Sequence, residues 1–357
     1  MTMTVRALIA ALIALPLLVL AGPGQIIENP AKALAKDAGR ILKLAEVWRI
    51  RDPGGEFYFK DPSYLRIAED GSIFLADTEQ FLKFSADGKF LGNLYKKGQG
   101  PGEIGEYFYY HIDAGALFIQ EMPSQRFWRA DLNGVFQETI NLAKNDYRGF
   151  VGIIPEGFLF LKSIWPPPGE RTGKLMEILH IVALVGRDGS ERRDLVTFRP
   201  KTYLAPTTGM GWDPEIAELS PDGKHLFAVH SRDYLIDVVD IPSGHVSKRL
   251  SRAYNKVPHV EDDYESEFRK EYGTPKKEFE PDVDELFPVQ DGLWVATSTD
   301  DKAKGRLIDV FDHDGRFSDS FYLGAGRGLL AVHEGFIFCT EKDTDETITI
   351  AKYRTVK

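Results

Sequence analysis

The chain is poor in the residues that staple, metallate or activate proteins. It holds one cysteine, Cys339, in 357 residues, so no intrachain disulfide can form. Cys339 lies in the apolar run Phe336–Thr340 and reads as a small buried core residue. The eight histidines are scattered, with no HExxH, no HxH and no Cys/His pair. Zinc-protease and zinc-finger chemistry therefore has no ligand set, and no metal site is expected. No GxSxG nucleophile elbow occurs. No block of Lys or Arg is longer than two residues, and the net charge is −10 with a pI of about 5.4. Phosphate backbones need clustered cations, so no nucleic-acid partner is expected.

What the chain does have is apolar residues (43%), aromatics (12%) and 33 glycines, a mixture that favours strands and turns. The N-terminus carries a targeting signal. Arg6 precedes an apolar run, Ala7–Ala21, which ends on the small residues of Val19-Leu20-Ala21. Residues 1–21 read as a secretory signal peptide, giving a periplasmic or extracellular protein. The alternative is an uncleaved anchor. Pro16 interrupts the run, and the run falls short of the ~20 apolar residues that span a bilayer, so no stable membrane span is expected after cleavage. No cysteine follows that would take a lipid. Export without disulfides fits a bacterial periplasm or exterior. Residues 22–40 read as a flexible leader and residues 41–50 as a strand.

The rest of the chain is organised on the stretch Asp61–Glu106. Four short apolar runs lie there, Tyr64–Ala68, Ser72–Ala76, Phe81–Phe84 and Phe90–Leu94, separated by Asp70-Gly71, Asp77-Thr78-Glu79 and Asp87-Gly88. Asp-Gly between β-prone runs marks tight hairpins, because both residues tolerate the positive φ that such turns need. The pattern recurs, giving six units at about 61–95, 107–142, 150–198, 215–250, 285–322 and 329–353. Four-stranded repeats of this length predict an all-β, six-bladed β-propeller. The sixth unit lacks a fourth strand, and the spare strand at 41–50 is expected to supply it. Residues 41–357 then form one domain, with the ends tied together and no open edge between first and last blades. Two β-sandwich domains are the alternative reading. A surface helix is predicted over Val260–Tyr272.

The blocks Ala68–Asp77 and Leu82–Leu94, followed by Gly98-Gln99-Gly100-Pro101-Gly102-Glu103, resemble the six-bladed β-propellers of the NHL/TolB-like superfamily, and most of all exported bacterial six-bladed β-propeller proteins. The resemblance covers about 41–357 and is loosest in the third unit. It implies fold and export; that family has no common activity to carry over. Related propeller lactonases hold calcium in the channel with Glu, Asn and Asp. This chain has only six asparagines, none in an expected innermost strand, so the expected cofactor set is none, with a channel Ca2+ possible but not supported.

In such a fold the tight turns crowd one face and the long excursions the other. The long stretches are Lys96–Glu106, Ser163–Glu177, Arg199–Asp213, Ser251–Asp284 and Ser298–Arg306. Binding residues favour loops on a rigid scaffold, so this loop-rich face is the expected working face. Its candidate ligand-binding residues are Gln99, Glu103 and Arg327 beside glycine-rich crossings, the loop aromatics Trp165 and Trp212, and His111 beside the channel. The glycines of the crossings also read simply as turn formers, and His111 and His333 as structural histidines. Gly100–Gly105 matches GxGxxG but is followed by an aromatic strand rather than a helix, so it is not a dinucleotide site. Residues 261–285 carry eleven acidic against four basic side chains, which reads as a solvated insert or an acidic lip for a cationic partner. The expected function is a monomeric exported scaffold binding a protein, peptide or glycan. The alternative is a metal-assisted lactonase- or lyase-like enzyme acting at the channel mouth.

Overall fold

The computed structural model describes residues 24–356 apart from 52–53, 144–145, 172, 205–208, 212–213 and 343–345. The proposed signal peptide at 1–21 and Trp212 lie outside the described residues. The fold is all-β. Among the described residues one α-helix occurs, α1 (Asp263–Tyr272), with a single 3-10 turn at Pro168–Glu170.

Six antiparallel meanders of four strands follow one another. The first is Ser63–Ile67, Ile73–Asp77, Gln80–Phe84 and Phe90–Asn93. The second is Tyr107–Asp113, Ala116–Met122, Phe127–Asp131 and Phe136–Thr139. The third is Tyr147–Ile154, Gly157–Ile164, Leu179–Gly186 and Glu191–Phe198. The fourth runs Glu215–Leu219, His225–His230, Leu235–Asp240 and His245–Arg252, and the fifth Val283–Val289, Gly292–Asp301, Gly305–Asp312 and Phe317–Tyr322. The sixth has Arg327–His333, Phe336–Lys342 and Ile348–Thr355 from the C-terminus and takes its fourth strand, Leu44–Ile50, from the other end of the chain. Ile50 pairs with Ile350 and Trp48 with Lys352, so one ladder closes the whole stretch of chain between the first sheet and the sixth.

The first strands of the six sheets touch in chain order, and the sixth, Arg327–His333, returns to touch Ser63–Ile67. Burial follows from that cycle. Every sheet has a neighbour on both faces, so its middle strands must be apolar on both sides. Ile73–Asp77 and Gln80–Phe84 are buried throughout, whereas the fourth strand Phe136–Thr139 is mostly exposed. Six apolar clusters fill the spaces between consecutive sheets, such as Phe74, Phe81, Tyr110 and Trp128 between the first and second. Burying each such aromatic contributes about 1.5–3 kcal/mol. The turns are as tight as their Asp-Gly and Asn-Gly pairs require: Gly71, Gly88, Gly134, Gly189, Gly223 and Gly315 all have φ between 68° and 86°.

Several sequence expectations are corrected. The described part of the expected leader at 22–40, residues 24–40, is not loose. Gln25–Asn29 adds a parallel fifth strand to the outer edge of the fourth sheet, and Arg40–Ile41 does the same on the fifth. Asn29 fixes the crossing between them, donating to the Gly315 carbonyl (3.0 Å) and accepting from Phe317 N–H (2.8 Å), and Arg40 grips Asp319 with two bonds of 2.8 and 2.9 Å. The segment covers two rims that would otherwise present unpaired edges. Ser298–Arg306 is not an open loop but the extended tip of a hairpin, Gly292–Asp301 with Gly305–Asp312. The long stretches of the third sheet's excursion and the crossing after it build a small additional sheet, Lys174–Glu177, Lys201–Leu204 and Gly209–Gly211. It packs on α1 through Tyr203 and Phe268, and the Tyr203 hydroxyl donates to the Tyr272 carbonyl. The helix starts later than Val260 because Asp262 caps it, accepting from Glu265 N–H at 2.7 Å. Gly273 ends it at φ 69°.

Candidate functional site

The cycle of first strands surrounds a cavity of about 820 Å³, lined from all six sheets. A first strand presents only its edge to this space, and its polar lining includes Tyr64 and Arg66, His111, Glu218, Glu285 and His333, with Asp61, Ser63, Asp113 and Thr340.

Tyr64 reaches the cavity through a break in its strand. The ladder slips between Ser63 and Arg66, and Tyr64 sits in the left-handed region at φ 51°. A non-glycine residue costs on the order of 1–2 kcal/mol there. The Tyr110 hydroxyl donates to the Tyr64 carbonyl and holds the conformation. The ring lies edge-on to Tyr109, centroids 5.7 Å apart, and burial followed by the neighbouring Tyr109 pushes its hydroxyl up to about 12. His111 packs edge-on to Phe150 at 4.6 Å, with Nε2 3.0 Å from the Phe150 carbonyl. Burial, then the Arg66 charge, hold its pKa down to about 3. The ring is therefore neutral. Nε2 carries the proton and donates to the carbonyl, leaving Nδ1 as an acceptor.

Glu218 and Glu285 stand on the touching first strands of the fourth and fifth sheets. Burial raises Glu285 to about 8, with the Glu218 charge next in importance; Arg66 pulls it back. Burial likewise raises Glu218 against the pull of Arg66. Protein surrounds both carboxyls, yet Glu285 stays exposed to the cavity and Glu218 is half-buried, so water in the channel moderates both shifts. Arg66, Glu218 and Glu285 are within electrostatic reach of one another, but none makes a hydrogen bond or an ion pair among the described residues. The guanidinium offers five donors to the channel without a protein acceptor. No group of three or more His, Cys, Asp or Glu able to hold a metal ion occurs among the described residues.

The residues expected from the sequence are mostly elsewhere. His111 lines the cavity. Glu103 does not: its carboxylate accepts from Gly100 N–H at 2.7 Å and braces its own loop. Gln99 is exposed, and its carbonyl, with those of Gly100 (2.9 Å) and Glu103, accepts from Arg126. Arg126 is in turn paired at 2.6 Å with the buried Glu121. Arg327 is a strut inside the sixth sheet, donating to Glu341 at 2.6 Å and lying 4.9 Å over the Tyr353 ring. Trp165 is 37% exposed and stands 5.9 Å from the Arg171 guanidinium, away from the cavity lining. Part of the acidic insert is paired, Arg269 with Glu261, Lys277 and His259 with Glu265, and Lys256 with Asp282. Tyr64, Arg66, Glu218 and Glu285 were not singled out from the sequence. Their signal was a charge or a tyrosine within an innermost strand, as in SYLRI, EIAEL and VDELFPV.

No family model matches the sequence, and no curated protein matches it. Among the solved structures that share its fold are two bacterial proteins. An exported protein of Bacteroides fragilis superposes with a TM-score of 0.57 at 11% identity, covering 93% of this chain and 100% of that one. A member of the DUF4221 family from Bacteroides vulgatus superposes with a TM-score of 0.54 at 9% identity, covering 89% and 99%. Identities this low speak to fold alone. No helix among the described residues is long and apolar enough to cross a membrane.

Proposed function

We propose that the chain is an exported, monomeric six-bladed β-propeller that acts as a binding protein and holds its ligand in the central channel. Six four-stranded sheets whose first strands touch in a returning cycle are what a propeller requires, and the ladder between Leu44–Ile50 and Ile348–Thr355 supports reading residues 41–357 as one domain. Export rests on the n-region charge and apolar run at the N-terminus, and on the fold shared with an exported protein.

The observation that carries the binding function is the trio Arg66, Glu218 and Glu285. Three ionisable side chains from three sheets face one cavity, and among the described residues no protein group forms a hydrogen bond or an ion pair with them. Unpaired charges in a confined space destabilise a fold, so their presence needs a compensating partner. A ligand supplies it. The channel is large enough for the end of a peptide or glycan or for a small polar molecule. The test is retention from native extract: purified protein and its Arg66→Gln variant are equilibrated with extract, recovered, and their bound compounds identified by mass spectrometry. A compound held by the parent and at least tenfold depleted on the variant supports the reading. Equal retention contradicts it.

A second reading, a lyase- or lactonase-like enzyme, is favoured by one observation. Glu285, raised to about 8, holds and releases a proton near neutral pH, which suits general acid–base work. Turnover of the retained compound, abolished in Glu285→Gln, separates the two.

A further inference from the structure

We infer that the channel recognises a charge-separated ligand of the amino-acid or short-peptide class, its carboxylate on Arg66 and its ammonium group between Glu218 and Glu285. This inference rests on the channel being the binding site and names what fills it.

The argument is one of complementarity. Of the lining carboxylates, Asp113 is paired with Arg187 at 3.0 Å and Asp61 is exposed, which leaves a trio of one cation, Arg66, and two carboxyls, Glu218 and Glu285, on separate sheets, in no ion pair among the described residues and close enough to feel one another. A neutral glycan would offer its hydroxyls to all three but no opposite charge to any of them. A simple anion satisfies Arg66 but meets two carboxyls. A simple cation satisfies the carboxyls but meets Arg66. A ligand bearing both charges pairs every group. The guanidinium fork suits a carboxylate, which it binds with two parallel bonds. The two glutamates of touching strands repel each other, and an ammonium group between them relieves that repulsion.

The remaining lining fits the same class. At about 820 Å³ the cavity exceeds a single amino acid and falls within the range of ordinary ligand pockets. Tyr64, forced into the cavity by its left-handed backbone and set edge-on to Tyr109, offers an aromatic surface to a side chain. The acceptor Nδ1 of neutral His111 suits a peptide N–H.

The test uses three probe pools: mixed free dipeptides and tripeptides, the same pool N-acetylated, and the same pool C-amidated. Each is put through equilibrium dialysis against the purified protein, with retained species read by mass spectrometry. At least one free peptide should be retained, and its acetylated and amidated forms at least tenfold more weakly. Arg66→Gln should erase the preference of free acid over amide and keep that of free amine over acetyl; Glu285→Gln should do the reverse. Blocked peptides retained as well as free ones, or no free peptide retained, overturns the inference. In that event, a native-extract compound that still depends on Arg66 leaves the channel as the site with a different ligand. If no compound depends on Arg66 either, the channel reading falls too. Melting curves of both variants within a few degrees of the parent exclude misfolding as the cause.

Discussion

Replacing Glu285 by glutamine should make the protein more stable at alkaline pH and leave it unchanged at acid pH. The carboxyl is raised from its usual 4.5 to about 8 by burial, then by the charges of Glu218 and Asp284, against the pull of Arg66 and Arg306. Tyr64 and the neutral His111 face the same space and carry no charge in this range. The folded protein therefore holds the proton more tightly than the unfolded chain does. Below about pH 4.5 both states are protonated and Glu285 exacts no penalty. As pH rises from 4.5 towards 8 the unfolded chain gains by ionising and the folded one does not, so stability falls; above about 8 the loss is complete. At 1.36 kcal/mol per pH unit the upper bound is roughly 5 kcal/mol, but Glu285 is solvent-exposed and screening reduces this to about 1 kcal/mol. Unfolding roughly 300 residues at ~2.1 cal/mol/K each gives ~0.6 kcal/mol per degree, so the expected gain in Tm is about 1–2 °C. Glutamine matches the protonated acid in shape. Melting curves of parent and Glu285→Gln from pH 4 to 9 should coincide at the acid end and separate progressively above pH 5, with the variant the more stable. A difference that is independent of pH, or a parent that is more stable at pH 9, would refute the reasoning.

Arg126→Ala should cost about 3 kcal/mol, because it leaves the buried Glu121 with donors from Trp128 and Gly105 but no counter-charge, and frees the carbonyls of the glycine crossing; thermal melts give the loss, and hydrogen exchange should rise over residues 98–105. Gly189→Ala should destabilise by more than ~2 kcal/mol. The residue is at φ 78° and a Cβ would stand 1.9 Å from the Asn141 carbonyl oxygen, whereas Gly115→Ala, also at positive φ but with open space around it, should cost only ~1 kcal/mol. A chain beginning at residue 44 should fold and melt a few degrees lower, having lost the covering strands on the fourth and fifth sheets. One beginning at residue 54 should aggregate, since it lacks the ladder to Ile348–Thr355 and the buried Ile50; size-exclusion chromatography separates the two outcomes.

The repeat was legible because it is written in turns. Asp70-Gly71, Asp188-Gly189 and Asp314-Gly315 fix hairpins locally, and the doubly apolar runs between them announce strands covered on both faces. The spare strand at 41–50 was legible from a deficit in the sixth unit. Elements held by distant partners were not. Gln25–Asn29 is five residues followed by a proline, and only the exposed edge of the fourth sheet and Asn29's bonds to Gly315 and Phe317 make it a strand. Lys174–Glu177 has no β-branched residue and is a strand because Lys201–Leu204 lies beside it. Polar Asp300, Asp301 and Lys302 read as a loop but form a hairpin tip. The channel residues were hidden for a related reason. Alternation says which side chains share a face, whereas whether Arg66, Glu218 and Glu285 meet depends on closing six sheets into one cycle. Arg327, Glu103 and Gln99 looked functional because they flank glycines, and the structure uses them to brace those crossings.

The most direct test is a crystal structure of the protein soaked with the small-molecule fraction that it retains from native extract. Ordered density bridging Arg66 to the Glu218–Glu285 pair is the predicted result. Density confined to the excursions that carry Trp165 and α1, with only water in the channel, would contradict the account.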